Sequence, residues 1–126
     1  MSDAPIDRST LGRDQRLQRG GDFARIKSKG QRRVRGCLIL NWIENSDIAR
    51  PRLGVITSKK LGNAVRRSRA RRLMREAFRL HQFELRQDID LILVARRSIN
   101  ELTRPDVEEV FLKLARDSGL IIDAKS

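Results

Sequence analysis

The chain has 126 residues, enough for one domain with a real core and too few for two independent ones. Its 28 Lys/Arg against 16 Asp/Glu leave a net charge of +12, which points to a polyanionic partner, nucleic acid before an anionic membrane surface. The longest apolar run, Ile89 to Ala95, contains Asp90 and is far shorter than the ~20 residues of a spanning helix, so no membrane partner is expected.

The first residues, MSDAPIDRSTLGRDQRLQRGG, hold no apolar signal segment, and the lone Cys37 can form no internal disulfide; a cytoplasmic, reducing location is expected. Cys37 itself reads as a small apolar strand residue. Residues 1–14 are expected to form a flexible basic arm, in a polar stretch without periodicity that runs to about residue 19. Asp22 is a good N-cap for a short helix through Phe23, Ala24, Ile26 and Lys27 that stops near Gly30. Val34 to Ile43 reads as a strand, and 45–51 as turn chemistry. Leu53, Val55 and Thr57 alternate with Gly54, Ile56 and Ser58, giving a further strand.

Gly62 and Asn63 then punctuate the chain, with Asn63 the N-cap of a long helix from Ala64 to about Leu85. Ile89 to Ala95 is nearly continuous in apolar character, as a strand covered on both faces would be. A last helix fits Pro105 to about Asp117, with acids Asp106, Glu108 and Glu109 near its start and Gly119 after its end. Val107, Val110, Phe111, Leu114 and Ala115 form its inner stripe. These elements make a helix-on-sheet sandwich of α/β type, a single domain over 15–118 with a tail at 119–126.

Lys59 to Arg79 concentrates nine Lys/Arg against the single acid Glu76, about +8 of the chain's +12. At about 100° per residue, Arg67, Ser68, Arg71, Arg72, Arg75 and Arg79 share an arc of roughly 140°. Ala70, Leu73, Met74, Ala77 and Leu80 cluster on the other side, where Arg66 also falls. A solvated helix face normally mixes signs at i,i+4, whereas Arg67, Arg71, Arg75 and Arg79 repeat one sign at that spacing, each pair costing a few tenths of a kcal/mol unless an anion neutralises it. Arginine's planar fork can bridge phosphate oxygens or stack on a base, so RNA suits this face. Lys59 and Lys60 extend the positive charge ahead of the helix N-terminus.

Protein-borne catalysis finds little support. His81 is the one histidine, beside the packed side of the long helix, and reads as structural or solvated. Asp88 and Asp90 flank a strand start and read as a turn residue and a sheet-end residue rather than a catalytic pair. No His/Cys cluster has metal-ligand spacing, so neither a catalytic nor a metal site is assigned to the protein.

The segment from Lys59 resembles the protein subunit of bacterial ribonuclease P, whose signature reads K-K-x-G-N-A-V-x-R-N-x-x-K-R-x-x-R-E. Lys59, Lys60, Gly62, Asn63, Ala64, Val65, Arg67, Arg72, Arg75 and Glu76 match in register. Ser68 stands where the family has asparagine, and Arg71 where it has lysine. Leu17 with Asp22-Phe23, the strand Arg52 to Ser58 and the strand Asp90 to Arg96 are similar to the family as well. The resemblance implies an α/β (α+β) two-layer sandwich of order α-β-β-β-α-β-α, ribosomal-protein-like, with a left-handed βαβ crossover. It implies a protein that binds a catalytic RNA through Lys59, Lys60, Asn63, Arg66, Arg67, Ser68, Arg71, Arg72, Arg75 and Arg79. A cleft at Phe23 and Lys27 would take the 5′ leader of precursor tRNA, with Lys27 in place of a second aromatic. Mg²⁺ would be held chiefly by the RNA, which carries the hydrolysis, and no obligate protein partner is implied. The competing expectation is a structural RNA-binding protein of ribosomal type without a role in cleavage.

Overall fold

The computed structural model describes residues 15–17 and 20–122. The expected arm, residues 1–14, lies outside them, as do residues 123–126 of the tail. The described chain runs α1 (Gly20–Lys29), β1 (Gln31–Arg35), β2 (Leu38–Glu44), β3 (Arg52–Ile56), α2 (Ala64–His81), β4 (Ile89–Ala95) and α3 (Arg104–Asp117). The sheet order is β1-β2-β4-β3, with β2 antiparallel to both its neighbours and β3 parallel to β4. Helix α2 is therefore the crossover between adjacent parallel strands.

Two expected elements are corrected. Val34 to Ile43 is not one strand: Gly36, at φ +52°, reverses the chain, and β1 folds back on β2 with Val34 opposite Ile39 and Arg35 opposite Leu38. The apolar residues beyond it hide a two-residue turn that only Gly36 marks. Asp22 is not an N-cap but sits inside the first turn of α1, which starts at Gly20; its carboxylate there complements the helix dipole. The stop after Lys29 has a steric cause. A Cβ on Gly30 would stand 2.3 Å from the Trp42 carbonyl oxygen and 2.5 Å from that of Ile26, so only glycine lets α1 turn into the sheet here.

Strand register sorts the two faces of the sheet. Leu38, Leu40, Trp42, Leu53, Val55, Leu91, Leu93 and Ala95 point to the main core, which they share with Met74 and Phe78 of α2 and Phe111 and Leu114 of α3. On the opposite face Ile39, Asn41 and Ile43 align with Val94, Ile92 and Asp90, and those with Ile56, Gly54 and Arg52. Phe23 and Ile26 of α1, with Leu17, cover part of that face.

Helix α2 is capped by Asn63, whose side-chain oxygen accepts from the Arg66 amide at 3.0 Å, after Gly62 at φ +117°. It ends at His81 rather than near Leu85, continuing as a 3-10 turn over Gln82–Glu84. Its buried stripe is Ala70, Leu73, Met74, Ala77 and Phe78. Leu80, expected to be packed, is 40% exposed. By helical angle it lies at the rim of the stripe, roughly 120° round from Met74, whereas Phe78 falls inside the arginine arc and is nonetheless fully buried. The stripe thus winds across the helix.

Helix α3 begins one residue before Pro105 with a capping box: Thr103 accepts from the Asp106 amide, and the Asp106 carboxylate accepts from the Thr103 amide. After it, Gly119 at φ +75° sends Leu120 into the core, and Ile122 donates to the Glu84 carbonyl at 2.7 Å.

Candidate nucleic-acid interface

Packing of Ala70, Leu73, Met74 and Ala77 against the sheet turns the arginine arc of α2 outward. Ser68, Arg71, Arg72, Arg75 and Arg79 line one concavity of about 500 Å³, together with Glu76 and Arg16. Arg71 is held at its rim, donating to Thr57 Oγ1 at 2.9 Å and to Ser68 Oγ at 3.1 Å. Arg79 forms a fork with Glu76, at 2.9 and 3.0 Å, and holds that carboxyl below the usual range. Burial, with the charges of Arg16 and Arg71, pulls Arg75 below the usual arginine range. Arginine's reference value is so high that it remains a cation.

Arg16 was not singled out in the sequence. It sits in a short segment running parallel to β3, where it bridges to Leu53, and the Leu17 amide donates to the Leu53 carbonyl at 2.9 Å. The sequence around Arg16 is polar and carries no sustained periodicity, so no local pattern brought it beside α2.

The remaining expected contacts divide. Arg66, on the packed side by helical angle, is exposed because it precedes Ala70, where the buried stripe begins. It lines a separate concavity of about 420 Å³ with Arg69, Arg97, Asn100 and Glu101. Arg67 is half-buried and Arg72 exposed. Asn63 spends its side-chain oxygen on the helix cap. Lys59 is exposed in a 3-10 turn, and Lys60 in the same turn borders the sheet face instead of the helix groove.

That sheet face is half open. Ile39 and Val94 floor a hollow of about 510 Å³ rimmed by Ser58, Lys60, Arg96 and Arg97. Phe23 packs into the apolar cluster that includes Val94 and Ile56, and Lys27 is exposed one turn further along α1. The ring of Phe23 lies on Gly54: a Cβ there would be 2.6 Å from its Cζ. Of the two arginines that border the hollow, Arg96 was legible only as the end of a strand and Arg97 was not singled out in the sequence.

The groups considered for catalysis are otherwise engaged. Asp90 is fully buried and accepts from Arg52 at 2.7 and 2.8 Å, Arg25 at 2.8 Å and Asn45 at 2.9 Å. Burial alone would raise its carboxyl, but these bonds hold it below the ordinary value. Asp88 pairs with Arg86 at 3.0 Å, so no carboxylate dyad forms. His81 bridges Glu84 and Glu108. Burial pushes the Cys37 thiol up, as an inert core cysteine requires. Among the described residues no cluster of three or more His, Cys, Asp or Glu could hold a metal, and no helix is long and apolar enough to cross a membrane.

The Ribonuclease P family matches residues 11–118. This chain belongs to the ribonuclease P protein family. The ribonuclease P protein component of Alkaliphilus metalliredigens is 35% identical over 106 residues, covering 84% of this chain and 95% of the relative. That of Pelotomaculum thermopropionicum is 35% identical over 100 residues, covering 79% and 88%. The solved RNase P protein of Staphylococcus aureus superposes with a TM-score of 0.79 at 29% identity, covering 86% of this chain and 98% of that one. The Thermotoga maritima RNase P protein gives 0.74 at 25%, covering 81% and 96%. Ribonuclease P membership places the chain in tRNA processing, as the protein component of a ribonuclease that has an RNA partner.

Proposed function

We propose that this protein binds the catalytic RNA of ribonuclease P through the arginine face of α2 and holds the 5′ leader of precursor tRNA on the open sheet face. The observation that carries this reading is the division of the molecule's positive charge. One set of guanidiniums surrounds a polar groove on α2, suited to a folded RNA backbone. A second set, Lys60, Arg96 and Arg97, rims an apolar floor near Phe23, suited to single-stranded nucleotides whose bases stack and whose phosphates need cations.

Mg²⁺ belongs to the RNA in this reading. The oxygens of Asp90 are filled by arginine and asparagine donors and Glu76 is held by Arg79, so neither is open to a hard divalent cation, and among the described residues no group of three or more His, Cys, Asp or Glu could hold one. The protein's part is to bind and orient: its cations screen phosphate repulsion between RNA and substrate, and the α1 cleft fixes the leader. Hydrolysis of the phosphodiester bond, giving the mature tRNA 5′ end, is carried by the RNA.

The test is reconstitution. The full chain added to a bacterial ribonuclease P RNA should restore 5′ leader removal at Mg²⁺ concentrations where the RNA alone is nearly inactive. Folded protein that gives no stimulation would refute the reading.

A further inference from the structure

We infer that Arg16 completes a seat for an RNA phosphate between the N-terminal segment and α2, so that residues 15–17 are part of the RNA interface. The inference rests on the proposed use of α2 and extends it to a second element.

Three observations converge on this seat. First, the segment is fixed. Gln15 is fully buried and its amide donates to the Pro51 carbonyl at 3.1 Å and to Gln82 at 2.8 Å, while Leu17 docks on β3. A buried glutamine with both contacts made holds the next residue in place, and that residue is Arg16.

Second, among the described residues the positive charge gathered here outweighs the negative. Arg16 and Arg75 line both the large groove and a hollow of about 100 Å³ at the β3 edge. Arg75 senses Arg16 and Arg71 as neighbouring charges. Among the described residues Glu76 is the one carboxylate in the groove, and Arg79 engages it. Neighbouring guanidiniums repel one another, and a phosphate that enters between them relieves the repulsion.

Third, the seat is preorganised. Thr57 and Ser68 hold the Arg71 fork, so little side-chain freedom remains to be lost when a phosphate is bound. Guanidiniums delivered by two separate elements, Arg16 from the β3 edge and Arg71 and Arg75 from α2, can bracket one phosphate from opposite sides. The phosphate belongs to the backbone of the catalytic RNA, because it must reach a groove continuous with the arginine face.

The test compares Arg16→Ala, Arg16→Lys and Arg72→Ala in the full chain for binding to ribonuclease P RNA across a salt series. Arg16→Ala should weaken binding about five- to tenfold at low salt and lower the salt slope by about one. Arg16→Lys should keep the slope and recover part of the affinity. Hydrogen exchange supplies a second readout: RNA should increase protection of the Leu17 amide in the parent protein, and less so in Arg16→Ala. If Arg16→Ala keeps the parent slope while Arg72→Ala lowers it, the seat is refuted and the α2 interface stands. If neither variant changes the slope, the α2 interface falls as well.

Discussion

Gly54 shows how a single missing methyl group shapes the proposed leader surface. Its neighbours in β3 carry side chains, but Gly54 faces the ring of Phe23 and the side chain of Leu17. A Cβ would approach the ring to 2.6 and 2.9 Å and Leu17 Cβ to 3.4 Å, so an alanine must push Phe23 off the sheet. Gly54→Ala is expected to cost about 1–3 kcal/mol in stability by overpacking. It should also reduce the advantage that a long 5′ leader gives a precursor tRNA over a one-nucleotide leader. Binding of both substrates to the holoenzyme checks this; an unchanged ratio would place the leader elsewhere. Ser68 is the residue where the sequence departs from the family signature, and the structure gives it local work. Its hydroxyl accepts from Arg71, so the shorter side chain orients an arginine of the groove.

At the scale of elements, α2 is both scaffold and proposed contact surface, and its start depends on one cap. Asn63 satisfies the Arg66 amide, one of the four unpaired donors of the first turn. Asn63→Ala should lose about 1 kcal/mol, whereas Asn63→Asp should keep most of the stability because its carboxylate caps equally well. Urea unfolding followed through the buried Trp42 measures both. Elements with sustained periodicity were legible from the sequence: α3 within a residue at its start, β4 at both ends, and α2 with its cap. The hairpin at Gly36 was not, because one glycine before a continuous apolar run gives no period to detect. The site divided in the same way. The arginine face followed from i,i+4 spacing, while Arg16, Arg96 and Arg97 depend on chain segments meeting in space, which no local pattern records. Arg66, placed on the packed side by helical angle, is exposed for a geometric reason: helical angle describes a face only where the helix has something to pack against.

For the molecule as a whole, two ionic junctions tie separate elements together and set opposite pH limits. Asp90 joins β4 to Arg52 of β3, Arg25 of α1 and Asn45 of the loop after β2. His81, at the end of α2, joins Glu84 of the following turn and Glu108 of α3. The folded-state value of Asp90 lies below its ordinary 3.8, so its contribution is present above that value and is lost as pH falls through the lower folded one. For His81 burial works against the cation, but the carboxylates of Glu84 and Glu108 outweigh it and raise the folded value above 6.5. Its contribution is complete below 6.5 and is lost as pH rises through the raised value. Stability measured by denaturant unfolding should therefore decline gently on the alkaline side of 6.5, by on the order of 1 kcal/mol or less because the pair is partly exposed. His81→Gln should remove that decline. Asp90→Ala leaves Arg25 and Arg52 without their buried partner and should cost about 3 kcal/mol at neutral pH. An alkaline decline that persists in His81→Gln would show that the junction between α2 and α3 is not where the protein senses rising pH.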